Sequence, residues 1–297
     1  MITGSTGFIG SLLVEALISD NHEVVAITTK TLKSNNPKLS YIKSTLDEYD
    51  SLWKKIPCDI DVCVHLAWNG NTGKNKSDYA IQNSNVKNTI DLIESLNKKN
   101  IKRFIGIGTI AEKEVSKYHT MDGSRPSAGT TYGVCKLMAH MMSNIFCNKN
   151  DIKFVWCTLA NVYGPGDTTN NFISTAIESI KSTNQSNFTL GNQLYDFVHV
   201  EDIIQALKLV IQNDDDTSEY YIGSGNPQKL KEYVIKIREK MGSAKELNFG
   251  VIPYNNCYLE KNDFDIGAVR KIGYTPLIDF DVGIKKYLEH LSQIREI

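Results

Sequence analysis

The sequence predicts an α/β protein, a doubly wound parallel sheet with a smaller C-terminal lobe interleaved with it. Three observations carry that expectation. Short apolar runs alternate with amphipathic stretches through the first half of the chain. A glycine-rich turn, Gly4-Ser-Thr-Gly-Phe-Ile-Gly10, opens directly into the first amphipathic stretch. Past residue 160 the alternation breaks into Gly-, Asn- and Thr-rich sequence followed by short helices. Strand, helix, strand, helix is the order of a parallel sheet covered on both faces.

The elements follow in order. Residues 10–20 carry apolar side chains at helical spacing, and residues 23–28 (Glu-Val-Val-Ala-Ile-Thr) read as a buried strand. Val62–Leu66 and Arg103–Ile107 read as further strands. Between them Asn83–Leu96 is a helix, with Val86, Ile90, Ile93 and Leu96 recurring every three or four residues. Another helix begins near Tyr132, and Lys153–Leu159 is the next strand. In the second half Phe197–Val200 and Tyr220–Ile222 are short strands flanking a helix at Glu201–Gln212. This organisation assigns 1–160 and 196–222 to a dinucleotide-binding Rossmann domain, and 161–195 and 223–297 to a substrate lobe. Only about three residues precede the glycine turn, so either the first strand is short or the chain starts upstream.

Composition narrows the function. The chain has 297 residues, about two domains at roughly 150 residues each. At 41% hydrophobic and 23% charged it can build a core and is not disordered. Lys+Arg of 33 against Asp+Glu of 34 gives a net charge of −1, so neither a nucleic-acid nor a membrane-surface partner is expected. No apolar run is long enough to span a bilayer, and no signal peptide is read. Six dispersed cysteines without a CxxC pair fit reduced thiols in a cytoplasmic protein and no metal site.

The glycine turn lets a diphosphate approach the backbone and meet the N–H groups of a helix N-terminus. Gly4, Thr6, Gly7, Phe8, Ile9 and Gly10 are therefore candidate cofactor contacts. Thr28-Thr29-Lys30 follows the second strand, with no carboxylate to bond a ribose 2′-hydroxyl, so NADP(H) is favoured over NAD. Tyr132-Gly-Val-Cys-Lys136 puts a phenol and an ammonium on one helical face. The ammonium is expected to lower the phenol's pKa and let it exchange a proton with a substrate oxygen. Thr109, ending the Phe104–Thr109 strand, can share that hydrogen bond.

These motifs, with Asp61-Val-Cys-Val-His-Leu-Ala67, Asn161-Val-Tyr-Gly-Pro-Gly166, Tyr195-Asp-Phe-Val-His-Val-Glu-Asp202, Tyr221-Ile-Gly-Ser-Gly225 and Lys271-Ile-Gly-Tyr-Thr-Pro276, occur in one order along nearly the whole chain. In that order they resemble the extended short-chain dehydrogenase/reductases, in the branch of nucleotide-sugar epimerases, dehydratases and reductases. The resemblance implies that Tyr132 is the acid/base, Lys136 its activator and ribose anchor, and Thr109 the substrate-oxygen partner. It places Leu66, Ala67 and Asn85 by the cofactor and Asn161 by the substrate diphosphate. It also implies a homodimer built from two helices per subunit, including the one at Tyr132, and surface-polysaccharide synthesis as a setting.

Departures sharpen the expectation. The family's 4,6-dehydratases follow the strand-end Thr with Asp-Glu; here Ile110-Ala111 follow, which argues against a dehydratase. The diphosphate-gripping arginine position holds Tyr195, which is kept as a candidate substrate contact, and Arg125 in the loop before Tyr132 is the candidate replacement for the charge, one of five arginines against 28 lysines. Trp68 is a candidate border of the substrate pocket. His65, His199, His119 and His140 are read as structural rather than metal ligands. The expected function is 4-keto reduction of a nucleotide-linked hexose in deoxysugar synthesis. NAD-dependent 4-epimerisation is the alternative. A non-catalytic cofactor-binding sensor or scaffold and a reductase of non-nucleotide carbonyls are the rivals.

Overall fold

The structure is a computed structural model that describes residues 1–118, 126, 128–254 and 256–295. Along the chain run β1 (Ile2–Thr3), α1 (Phe8–Ser19), β2 (Val24–Thr28), β3 (Leu39–Lys43), a 3₁₀ segment (Leu46–Lys54), β4 (Val62–His65), α2 (Tyr79–Asn97) and β5 (Arg103–Thr109). Next come α3 (Ala111–Lys117), α4 (Ala128–Lys149), β6 (Lys153–Leu159), β7 (Asn161–Tyr163), α5 (Phe172–Lys181), β8 (Ser186–Phe188), β9 (Leu194–Tyr195) and β10 (Phe197–His199). The chain ends with α6 (Val200–Gln212), β11 (Glu219–Ile222), β12 (Gln228–Lys229), α7 (Leu230–Lys240), β13 (Leu247–Phe249), α8 (Gly267–Lys271) and α9 (Phe280–Arg295).

Seven strands form one parallel sheet in the order β3-β2-β1-β4-β5-β6-β11. The order reverses at β1, whose Ile2 pairs with Ala26 on one side and Val64 on the other. A ligand crevice lies outside the carboxyl ends of the strands at such a reversal. All five residues of β2 are buried, as expected of a strand covered on both faces. One face packs Leu13 and Leu17 of α1 with Ile203 and Leu207 of α6. The other packs Leu92 and Leu96 of α2 with Ala139 of α4 and Trp156 of β6. A third cluster joins α5, α7 and α9 through Ile177, Tyr233, Ile237 and Ile284.

The expected strands and helices appear with their ends shifted by a few residues. β1 has two residues. α2 starts four residues early because Asp78 caps it, its carboxylate accepting the N–H groups of Ala80 and Ile81. Several elements were not anticipated, β3 and α3 among them. β3 is a half-exposed edge strand, and α3 is charged at four of its seven residues.

Asp202 ties the segment leading into α9 to the sheet domain. It is 2% exposed and accepts the N–H groups of Leu277 at 2.9 Å and Ile278 at 3.0 Å. Asp202→Ala strands both donors and should cost about 2–4 kcal/mol in urea unfolding. A loss below about 0.5 kcal/mol contradicts this role for the carboxylate.

Candidate active site

A cleft of 430 Å³ opens at the carboxyl ends of β1, β4, β5 and β6. A larger cavity of 600 Å³ lies at the opposite ends of the strands, around Met1, Val24 and Val62, and holds none of the candidate groups. The cleft brings together Gly4, Gly7, Phe8, Ile9, Gly10, Leu66, Trp68, Thr109, Tyr132, Lys136 and Asn161.

Two glycines shape its floor. Gly4 has φ of 64°, and a side chain there would meet the Ala67 nitrogen at 2.9 Å. A Cβ on Gly10 would lie 2.2 Å from the Gly4 carbonyl oxygen. Gly7 caps α1 without a side-chain hydrogen bond, and the first turn carries no acid. The first-turn N–H groups therefore face the cleft as an uncontested anion cradle. This cradle fits the diphosphate of a dinucleotide. Thr28 is buried with its hydroxyl 3.0 Å from that of Thr6, while Thr29 and Lys30 are exposed beyond the cleft.

β5 carries Thr109 to its end, and α4 sets Tyr132 and Lys136 one turn apart on the face toward it. Lys136 is 5% exposed, donates to the Ile107 carbonyl at 2.8 Å, and lies 3.9 Å above the Trp68 ring. Burial lowers its pKa to about 8, against the pull of Glu112. The expected depression of the Tyr132 pKa is not found. Burial raises it, and the Thr109 hydroxyl only partly counters this. With its ammonium turned to the Ile107 carbonyl, Lys136 does not offset the phenol's desolvation. Tyr132 is thus held protonated.

The other site candidates divide. Ala67 abuts Gly4 and gives its N–H to the Thr3 hydroxyl at 3.2 Å. Two expectations are corrected. Asn85 is fully buried and spends both amide atoms on the Asn69 backbone at 2.9 Å, so it fixes the loop after β4 rather than touching a cofactor. Tyr195 lies one layer behind the cleft, stacked on Phe197 and against Phe172, which do line it. Arg125 and His119 lie outside the described residues. His65 is structural: it bridges the Thr3 and Thr89 hydroxyls and is pushed down to about 3 by burial.

The sequence reading missed three charged residues. Lys76 sits with its ammonium 5.0 Å from the Tyr132 ring, and burial lowers its pKa. Glu114 shares a 110 Å³ side chamber with Lys76 and Tyr132, and burial raises its carboxyl to about 7. Glu112 is buried beneath Thr109 and accepts its N–H at 2.7 Å. The available signal was Gly106-x-Gly108, because glycines inside a strand mark a close approach.

Fold and cleft define a dinucleotide-binding enzyme of the extended short-chain dehydrogenase/reductase type. The chain belongs to the NAD dependent epimerase/dehydratase family, whose model matches residues 1–223. A CDP-abequose synthase of Salmonella typhimurium is 28% identical over 98% of this chain and 97% of its own length. A putative UDP-glucose 4-epimerase of Methanocaldococcus jannaschii is 26% identical over 98% of each. Among solved structures, the UDP-glucose 4-epimerase of Thermotoga maritima superposes with a TM-score of 0.78 at 20% identity, covering 99% of this chain and 98% of that one.

Gly10→Ala should weaken NAD(P) binding at least 100-fold by calorimetric titration. Gly7→Ala should weaken it less, because its Cβ would lie 3.2 Å from the Gly4 oxygen rather than 2.2 Å. The reverse ranking contradicts the cradle geometry.

Proposed function

We propose that this enzyme reduces the 4-keto group of a nucleotide-linked deoxyhexose, with NADPH as the released co-substrate. The observation that carries the reading is the placement of Tyr132 beside Thr109, one turn from the buried Lys136, in the cleft floored by the glycine cradle. A phenol held protonated is suited to give its proton to a carbonyl oxygen. The CDP-abequose synthase relative supports the substrate class, and the absence of Asp-Glu after Thr109 argues against elimination.

The roles follow from the side chains. Gly4, Gly7 and Gly10 hold the dinucleotide diphosphate on the α1 N-terminus, and Lys136 anchors its ribose. Lys30 is exposed after β2, and its positive charge supports the reading of a 2′-phosphate cofactor. When bound, the dihydronicotinamide supplies the hydride that reaches C4. Tyr132 gives its proton to O4, Thr109 shares the hydrogen bond to that oxygen, and the carbonyl becomes a carbinol. Asn161 and the lobe formed by 161–195 and 223–297 hold the nucleotide-sugar. Phe172 and the loop bonded around Asp167 line that side.

We infer in addition that the enzyme is a homodimer through α2 and α4. Val134, Met141 and Ile145 form an exposed apolar stripe on α4 at helical spacing, and Tyr79 is exposed at the start of α2. Met141→Glu with Ile145→Glu should turn a dimer into a monomer in sedimentation velocity. A wild-type monomer overturns the inference.

Tyr132→Phe should lower kcat for NADPH-dependent reduction by about 10²–10⁴ while leaving cofactor binding intact. For wild type, kcat/KM should fall as pH rises through about 8, because the Lys136 ammonium is present below that value and lost above it. A Tyr132→Phe enzyme with full activity contradicts the reading. So does tightly bound NAD that survives gel filtration and supports epimerisation without net NADPH use.

A further inference from the structure

Beneath Thr109 the sheet is hollowed by its own glycines. A Cβ at Gly106 would meet the Trp156 ring at 2.2 Å. A Cβ at Gly108 would meet the Trp156 indole nitrogen at 2.2 Å and Glu112 Oε1 at 2.5 Å. The space left open admits an indole from β6 and a carboxylate from α3. Glu112 is 4% exposed, yet both of its oxygens are bonded. Oε1 accepts the Thr109 N–H at 2.7 Å, and Oε2 accepts the Trp156 indole N–H at 3.1 Å. His140 Nδ1 stands 3.3 Å from Oε2, and its ring stacks on Trp156 with centroids 4.6 Å apart. His140 is the next member of the Tyr132, Lys136 stripe on α4, at i+4 from Lys136.

The geometry points to Glu112 as a positioning residue of this site: it ties Thr109 to α4 and supplies the counter-charge of the buried Lys136. The inference rests on the reading of Tyr132 and Lys136 as the acid/base pair. A buried ammonium needs compensation, and Lys136 has one hydrogen bond, to the neutral Ile107 carbonyl, and one ring face. Among the described residues Glu112 is the acid acting on it, and it favours the charged form. Burial opposes ionisation of Tyr132, and the same carboxylate adds to it, so the phenol stays a proton donor. One side chain thus opposes the desolvation of the lysine, adds to burial in holding the tyrosine protonated, and holds the threonine backbone.

Groups facing this centre come from every neighbouring element. They are His65 on β4, the Thr109 amide on β5, the Trp156 indole on β6, and Tyr132 and His140 on α4. Glu219 on β11, 66% exposed, reaches His140 Nε2 at 3.5 Å. Lys113, the basic neighbour on α3, is turned away toward the Asp263 carbonyl.

The test reads Lys136 directly, by NMR of protein carrying ¹³Cε-lysine, with its signal assigned by loss in Lys136→Arg. Wild type should titrate near 8. Glu112→Gln keeps the acceptor for Thr109 and removes the charge. It should lower the Lys136 midpoint by about one unit, a ten-fold change in proton affinity. The alkaline limb of kcat/KM should move down with it. An unmoved midpoint with a folded protein overturns the proposal, because a merely structural role would change the melting temperature and activity without moving Lys136. Should the Gln variant fail to fold, Glu112→Asp decides. It retains the charge one methylene shorter, so the midpoint should stay within about 0.3 unit while kcat falls several-fold as Thr109 loosens. A one-unit drop with the charge retained overturns the proposal. Lys136→Met separates the two levels of the argument: a fully active Lys136→Met removes the acid/base reading, whatever Glu112 does to the midpoint.

Discussion

The active centre depends on one costly arrangement, an ammonium buried between a helix and a sheet. Lys136 has the Ile107 carbonyl on one side and the Trp68 ring on the other. That contact fixes the register of α4 against β5, because a buried charge tolerates few alternative partners. Once α4 is fixed, Tyr132 lies one turn away beside Thr109, and Trp68 packs edge-on to the phenol with centroids 6.2 Å apart. Trp68 is itself held by Gln82, whose amide oxygen accepts the indole N–H at 2.8 Å while its amide nitrogen donates to the Gly70 and Asn75 carbonyls. The loop between β4 and α2 is thereby built into the wall of the cleft.

The second constraint is at the backbone. β1 is short but central, paired on both edges, and it delivers Gly4 to the point where the sheet order reverses. The positive φ at Gly4 turns the chain into α1, and the missing side chain at Gly10 lets α1 approach that turn. The glycine turn and the Tyr132–Lys136 pair therefore come from independent pieces of sequence. They meet because a parallel sheet places all its carboxyl ends on one side.

Much of this was legible in the sequence, for identifiable reasons. Strands buried on both faces read as unbroken apolar runs, so β2, β5 and β6 could be placed without tertiary information. Glycine spacing and the Tyr132–Lys136 interval are local, so the residues that line the cleft from β1, α1 and α4 could be named. β3 could not be placed, because an edge strand wetted on one side lacks that signature. Glu112 and Glu114 were hidden in Ala-Glu-Lys-Glu-Val-Ser-Lys, a segment that reads as a solvated helix face. Their burial is created elsewhere, by Gly106 and Gly108 opening the sheet to Trp156 and by Lys76 folding over Tyr132. Asn85 and Tyr195 were placed at contacts they do not make because motif position records proximity to a site, not the direction of a side chain. The same limit applies to the phenol: spacing alone put a cation beside Tyr132, whereas the cation's hydrogen bond goes to Ile107.

The central claim is that a sugar carbonyl receives one proton from Tyr132 and one hydride from NADPH, once per turnover. It is tested most directly by incubating the enzyme with a nucleotide-linked 4-keto-6-deoxyhexose and NADPH deuterated at the transferred position. The account predicts one deuterium at C4 of a carbinol product for each NADPH consumed. A product inverted at C4 without deuterium and without NADPH consumption, or no turnover across nucleotide-linked 4-keto sugars, would contradict it.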